Sequence, residues 1–308
     1  MQLKNLSFTS RYSSALLLTL IITAIAITSL LIFIPGPGSD TSIFYSNWTI
    51  NIAAIVAAGL SVLPTMAAFR TMKALSKGKG YVPETENQQY GIDKAKHNFY
   101  ICLSLTIALT LWTLAELTWT YYQLGLHIEN PFPSIADSFW LAGYPFIIYF
   151  TYGMNKALSK GGYYDREALL MLSVSAGLTL GYIFNLTFGV ADMLSAAEGD
   201  MGWLISILYP ILDTIALIPC LLIVASFRRR SDKSAYSIQW LLLSSSIIIV
   251  TIADIGFGYS EVLGRSEEQQ WFWDIMYASS YIVMAGALLT LVYSQYINAK
   301  PLKLPDIS

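Results

Sequence analysis

Three polar residues recur at a fixed interval inside otherwise apolar surroundings. Glu116 sits in A-E-L-T-W (115–119), Asn185 in F-N-L-T-F (184–188) and Asp254 in A-D-I-G-F (253–257), each 69 positions from the next. Two of the segments that follow carry an acid and two aromatics at i, i+3 and i+7: Asp137, Trp140 and Tyr144, then Asp274, Tyr277 and Tyr281. Between them, Tyr209 and Asp213 stand four apart, on one face of a helix. An ionisable group inside a membrane span costs roughly 2.5–3.5 kcal/mol on insertion scales, so it needs a partner and faces the bundle interior. Carboxylates among aromatic faces suit a cationic or amine ligand, through charge and cation–π attraction, or a proton relay. The plainer reading is a clasp, with an acid or amide bonded to a tyrosine hydroxyl of the returning helix. Glu116, Asp254, Asp213, Asn185, Tyr144, Tyr209 and Tyr281 fall at similar depth in one half of the bilayer, with Asp137, Asp274 and Trp140 at its outer mouth.

The elements that must carry these residues are membrane helices. The chain is 55% hydrophobic and 12% charged, where an ordinary soluble domain carries about 25% charge. Apolar runs near 14–35, 48–69, 98–124, 134–155, 167–190, 202–227, 236–263 and 270–296 are long enough to cross about 30 Å of hydrocarbon. The expected fold class is all-α, a bundle of eight transmembrane helices with both termini in the cytoplasm. Charge placement supports it independently. Of the 18 basic residues, 17 fall in segments assigned to the inner side, and Arg265 alone lies outside; that is the positive-inside pattern. The outer loops carry acids such as Asp40, Glu129, Asp192, Glu261 and Glu267. The first run is too long for a signal-peptide core and has no Ala-x-Ala site after it, so Pro35-Gly36-Pro37-Gly38 reads as the exit turn of a retained helix.

The repeats point to helical hairpins in a single membrane domain, near 14–69, 98–155, 167–227 and 236–296. Tyr144-Pro145 matches Tyr209-Pro210, and the hexapeptide K-A-L-S-K-G occurs at 73–78 and again at 156–161. All copies enter from the same side, which makes this a parallel repeat. Pro64, Pro145, Pro210 and Pro219 would kink their helices. Asn47-Trp48-Thr49 is a glycosylation sequon placed awkwardly close to a span.

Several chemistries are excluded. The two histidines, His97 and His127, lie toward opposite faces, which rules out a bis-histidine haem or a histidine-built metal site. No lysine sits mid-span, so a retinal Schiff base is not expected, and no cofactor is. Cys102 and Cys220 lie within spans, where a disulfide is not expected. No nucleophile–base pair stands at catalytic spacing. Nothing in the charge pattern suggests nucleic acid; the expected surroundings are the lipid bilayer of the cell membrane.

The stretch N-P-F-P-S-I-A-D-S-F-W-L-A-G-Y-P-F at 130–146 resembles a pattern of prokaryotic multi-helix membrane sensory regions, those that precede GGDEF, EAL or histidine-kinase output domains. L-Y-P-I-L-D at 208–213 is similar to a second element of those regions. The resemblance covers the third to eighth spans and implies sensing of a membrane or external cue. It departs from the family after the last span, where only residues 297–308 follow, so the expectation is a sensory or ligand-binding module that signals through a partner protein. The competing expectations are a small-solute or ion-coupled carrier and an accessory subunit of a membrane complex.

Overall fold

The computed structural model describes residues 3–78, 87–128, 131–158, 191–229, 235–262 and 265–297, with Gly177 by itself. The expected fifth span, 167–190, therefore lies outside the described residues, and Asn185 with it. Seven long helices account for the rest: α1 (Leu3–Phe33), α2 (Asp40–Ser76), α3 (Gln88–Thr120), α4 (Ile135–Leu158), α5 (Ala191–Arg229), α6 (Ala235–Val262) and α7 (Ser266–Ile297). There is no strand among the described residues.

The helices begin and end where local chemistry allows. The turn after α1 places Gly36 at φ 99° and Gly38 at φ 77°, a region open to glycine at little cost. Ser39 then caps α2, its side chain accepting from the Ser42 amide, and Asn87 caps α3 through the Gln89 amide. At α4 the cap is reciprocal. The Ser134 hydroxyl accepts from the Ala136 amide at 3.2 Å, while Asp137 Oδ2 accepts from the Ser134 amide at 2.7 Å. So the Ser and Asp of P-S-I-A-D start a helix. At its far end α3 loosens into a π-helical turn, Tyr121–Gly125, a local widening that often marks functional sites.

Helix packing closes a ring. α2 packs on α3, α3 on α4, α4 on α5, α5 on α6, α6 on α7, and α7 returns to α2. α1 lies outside the ring against α2 and α7. Its apolar window is only 17% buried against 61% for α7, which makes α1 peripheral and α7 central. The polarity of the bundle is inverted relative to a soluble protein. Ser42, Asn47, Asn51, Asp213 and Gln239 are buried inside, whereas Leu16, Ile22, Ile55, Ile252 and Leu289 face outward. Only a surrounding hydrocarbon makes that arrangement favourable.

Six helices among the described residues are long and apolar enough to cross a membrane: α1 from Ala15, α2, α3 with its π turn, α5 over Leu204–Ala225, α6 over Ile238–Glu261 and α7 over Glu268–Tyr293. α4, 24 residues long, is not among the six and carries Asp137, Trp140 and Tyr144 on successive turns. The chain is thus a multi-pass helical membrane bundle. Arg70, Lys73, Lys77, Lys94 and Lys96 gather where α2 ends and α3 begins. The other end of the ring is open to a pocket.

Candidate functional site

Inside the ring, at the end away from those lysines, lies a cavity of about 160 Å³. Among the described residues six carboxylates line it, Glu116, Asp137, Asp213, Asp254, Glu261 and Asp274, with nine aromatic side chains and no Lys, Arg or His. Each wall is placed by its helix register. Glu116 comes from the last turns of α3, Asp137, Trp140 and Tyr144 from successive turns of α4, and Tyr209 with Asp213 from one face of α5. Asp254 is on α6, and Asp274, Tyr277 and Tyr281 are on α7. Nine of the ten residues singled out by type and spacing therefore meet in one cavity; the tenth, Asn185, lies outside the described residues.

The hydrogen bonds have the same form twice. Trp140 Nε1 donates to Glu116 of its own hairpin at 3.4 Å, and Tyr277 donates to Asp254 of its own hairpin at 2.7 Å. Four residues on, the second donor crosses the ring. Tyr281 donates to Glu116 Oε1 at 2.9 Å, and Tyr144 donates to Asp213 Oδ1 at 2.6 Å with a longer approach to Asp254 Oδ2 at 3.5 Å. The outer acids also match. Asp137 accepts from Tyr209 of α5 at 2.9 Å, and Asp274 accepts from Ser46 of α2 at 2.5 Å. Spacing alone suggests clasps within hairpins; the observed bonds also tie one hairpin to the other.

The acids differ in how far they are committed. Asp137 uses Oδ1 for Tyr209 and Oδ2 for the α4 cap, so its first duty is structural. Glu116 takes both of its donors on Oε1. Asp213 is 2% exposed, and its Oδ2 accepts no hydrogen bond. A buried carboxylate oxygen without a donor is costly, and the Asp254 carboxyl beside it relieves that cost when the two acids share one proton. No three His, Cys, Asp or Glu side chains among the described residues converge as a metal site would require.

Part of the lining was not singled out by sequence reasoning. Asn47 Nδ2 donates to Gln123 Oε1 at 2.8 Å, Thr120 donates to Asn47 Oδ1 at 2.8 Å, and Asn51 donates to Thr120. The π turn brings Gln123 inward, where it is buried. Asn47 is 4% exposed, in keeping with the sequon's awkward position: its amide is a strut between α2 and α3, inaccessible to glycosylation in the folded protein. Glu261 and Gln270 also line the cavity; near the rim, Trp273 donates to Ser260 at 2.8 Å, and Ser260 donates to Gln269 at 2.7 Å.

Toward the lysine-bearing end the ring is filled. Leu109, Ile147, Met154, Leu243, Ile247, Met284 and Leu288 are each under 2% exposed. The pocket therefore has an apolar floor one to two turns below the carboxylates. The chain matches no protein-family model, and neither a curated protein nor a solved structure matches it.

Proposed function

We propose that this protein is a membrane-embedded receptor for a small organic cation, held in the acidic, aromatic pocket, and that it passes its bound state to a partner protein. The observation that carries the reading is the lining itself: among the described residues, six carboxylates with aromatic faces and no basic side chain. Such a cavity offers a cation carboxyl oxygens and aromatic faces with no positive side chain among them to repel it, and a bound cation favours the ionised form of the acids it meets. The positive-inside rule puts the lysine-bearing end in the cytoplasm, so the pocket opens outward across the cell membrane, in a chain of eight spans built from duplicated hairpins. The likeness of residues 130–146 and 208–213 to sensory membrane regions supports the same reading. In it, the bonds crossing from Tyr281 to Glu116 and from Tyr144 to Asp213 are what a bound cation rearranges, and the ring helices carry that change inward.

A carrier remains the second reading, favoured by the same acids but opposed by the apolar floor. One experiment addresses both. The purified chain in lipid nanodiscs is titrated with tetramethylammonium and butylammonium, with Glu116→Gln and Asp254→Asn as comparisons, and the same compounds are offered to proteoliposomes. The receptor reading expects saturable binding by wild type, weakened in each variant, without uptake. Absence of binding by any monovalent or oligovalent amine refutes it; saturable uptake lost in both variants replaces it with the carrier.

A further inference from the structure

Resting on the cation-pocket reading, we infer that the ligand is a linear diamine or short polyamine, gripped at two matched ends. The pocket holds two acid–aromatic centres of the same form. One is Glu116 with Trp140 and Tyr281; the other is Asp254 with Tyr277 and Tyr144. Their α4 and α7 donors stand in the same register, Trp140 and Tyr144 against Tyr277 and Tyr281. An ammonium group offers three N–H donors, enough to meet a carboxylate oxygen and an aromatic face at either centre.

Three further observations favour an extended ligand over a single ion. The carboxylates line the wall without any three converging on one point, so a compact cation meets only part of the charge, whereas a chain with an amine at each end meets both centres. The cavity of about 160 Å³ has room for on the order of ten water-sized atoms, the size of a diamine or triamine with a short methylene spacer. One turn below Glu116 and Asp254 the lining becomes apolar, with Trp112 and Val250 beside Ile50, a surface that suits methylenes. The Asp213 carboxyl, buried and paired with Asp254, also lines the cavity and supplies the acceptor for a second N–H once an ammonium displaces the proton the two acids share.

The test is a length and valence series on the full chain in nanodiscs, read by calorimetry: butylammonium against 1,3-diaminopropane, 1,4-diaminobutane, 1,5-diaminopentane and a triamine. At least about tenfold tighter binding of the best diamine than of butylammonium is expected, as linking two weak contacts gives, with an optimum at one chain length. Glu116→Gln and Asp254→Asn should each bring the diamine to within about threefold of the monoamine while the monoamine itself still binds. Equal affinity for mono- and diamines overturns this inference and leaves the cation pocket standing; so does the loss of all amine binding in either single variant, which would mean one shared centre. No binding of any amine by wild type removes both. If the variants fail to fold, the wild-type length series decides alone, and a flat profile overturns the inference.

Discussion

Replacing Tyr281 by Phe removes one hydroxyl and no volume, so its effect isolates a single bond across the ring. That hydroxyl donates to Glu116 Oε1 at 2.9 Å in a buried site, and the other donor, Trp140 Nε1, is half an ångström farther away at 3.4 Å. Interhelical bonds in membranes average about 0.6 kcal/mol and reach about 1.7, while a bond to a charged group in a soluble protein is worth about 1.5–3 kcal/mol. The short distance and the acid acceptor place Tyr281→Phe at a loss of about 1–2 kcal/mol. Glu116→Met, an apolar replacement of similar length, should be neutral or stabilising, since an acid in a span is costly. Once Glu116 is gone, Tyr281→Phe should cost little. The double-mutant cycle should therefore show a coupling of about 0.6–1.7 kcal/mol, measured by equilibrium unfolding in mixed micelles titrated with a denaturing detergent. As a control, Tyr281→Phe combined with Thr65→Val, at the other end of the ring where Thr65 and Thr106 share a 2.8 Å bond, should be additive. A coupling below about 0.3 kcal/mol, or an equal coupling in the control pair, would refute the idea that this bond holds the hairpins together.

Gly256→Ala places a Cβ inside the Trp273 ring, which is pinned by its bond to Ser260, so thermal stability should fall by about 1–3 kcal/mol; Gly286→Ala meets only the flexible end of Ile21 on peripheral α1 and should cost distinctly less in the same melt. Asn47→Leu breaks the strut to Gln123 and Thr120 and should destabilise by about 1–3 kcal/mol, while mass analysis of the protein from a glycosylating host should find Asn47 unmodified. Ile247→Ala opens the apolar floor; detergent unfolding should register a loss of about 1–4 kcal/mol, and water accessibility measured by cysteine labelling at Ser244 should rise.

Helix existence was legible in the sequence because apolar length is a strong signal, and eight runs were read where six candidate spans and α4 are described. The edges were less so. α2 begins at Asp40 rather than near 48, because Ser42, Ser46 and Asn47 look like loop by hydropathy yet are buried, bonded to α1, α7 and the π turn. Hydropathy cannot separate a polar residue in water from one turned inward. Among the site residues, acids inside spans announced themselves by their cost, and register supplied their aromatic neighbours. Gln123 did not, since it sits in a run of tyrosines that reads as an interface belt and reaches the cavity only through the π turn. The cross-ring partners were also hidden: which tyrosine reaches which acid depends on closure of α7 onto α2, a tertiary fact without a local signature.

That closure also bears on whether the acids are clasps. The bundle has cheaper clasps available and uses them: Thr65 with Thr106 at 2.8 Å, and Ser246 to the Ser280 carbonyl at 2.9 Å. A carboxylate at mid-span costs roughly 2.5–3.5 kcal/mol on insertion scales, and one donor bond returns about 0.6–1.7, so an acid is a poor choice where a hydroxyl or amide would tie the same helices. Asp213→Asn puts this to the test. The amide keeps an oxygen for Tyr144 and offers Asp254 a permanent N–H in place of the proton the two acids share. If Asp213 serves only the fold, its replacement should be neutral and amine binding should not change. If it serves a cation, the apo variant should melt higher than wild type while its affinity for the diamine falls at least about tenfold, the usual opposition of stability and function at a binding site. A folded variant that melts lower and binds as before would sink the functional reading of this residue, and leave the pocket to Glu116 and Asp254.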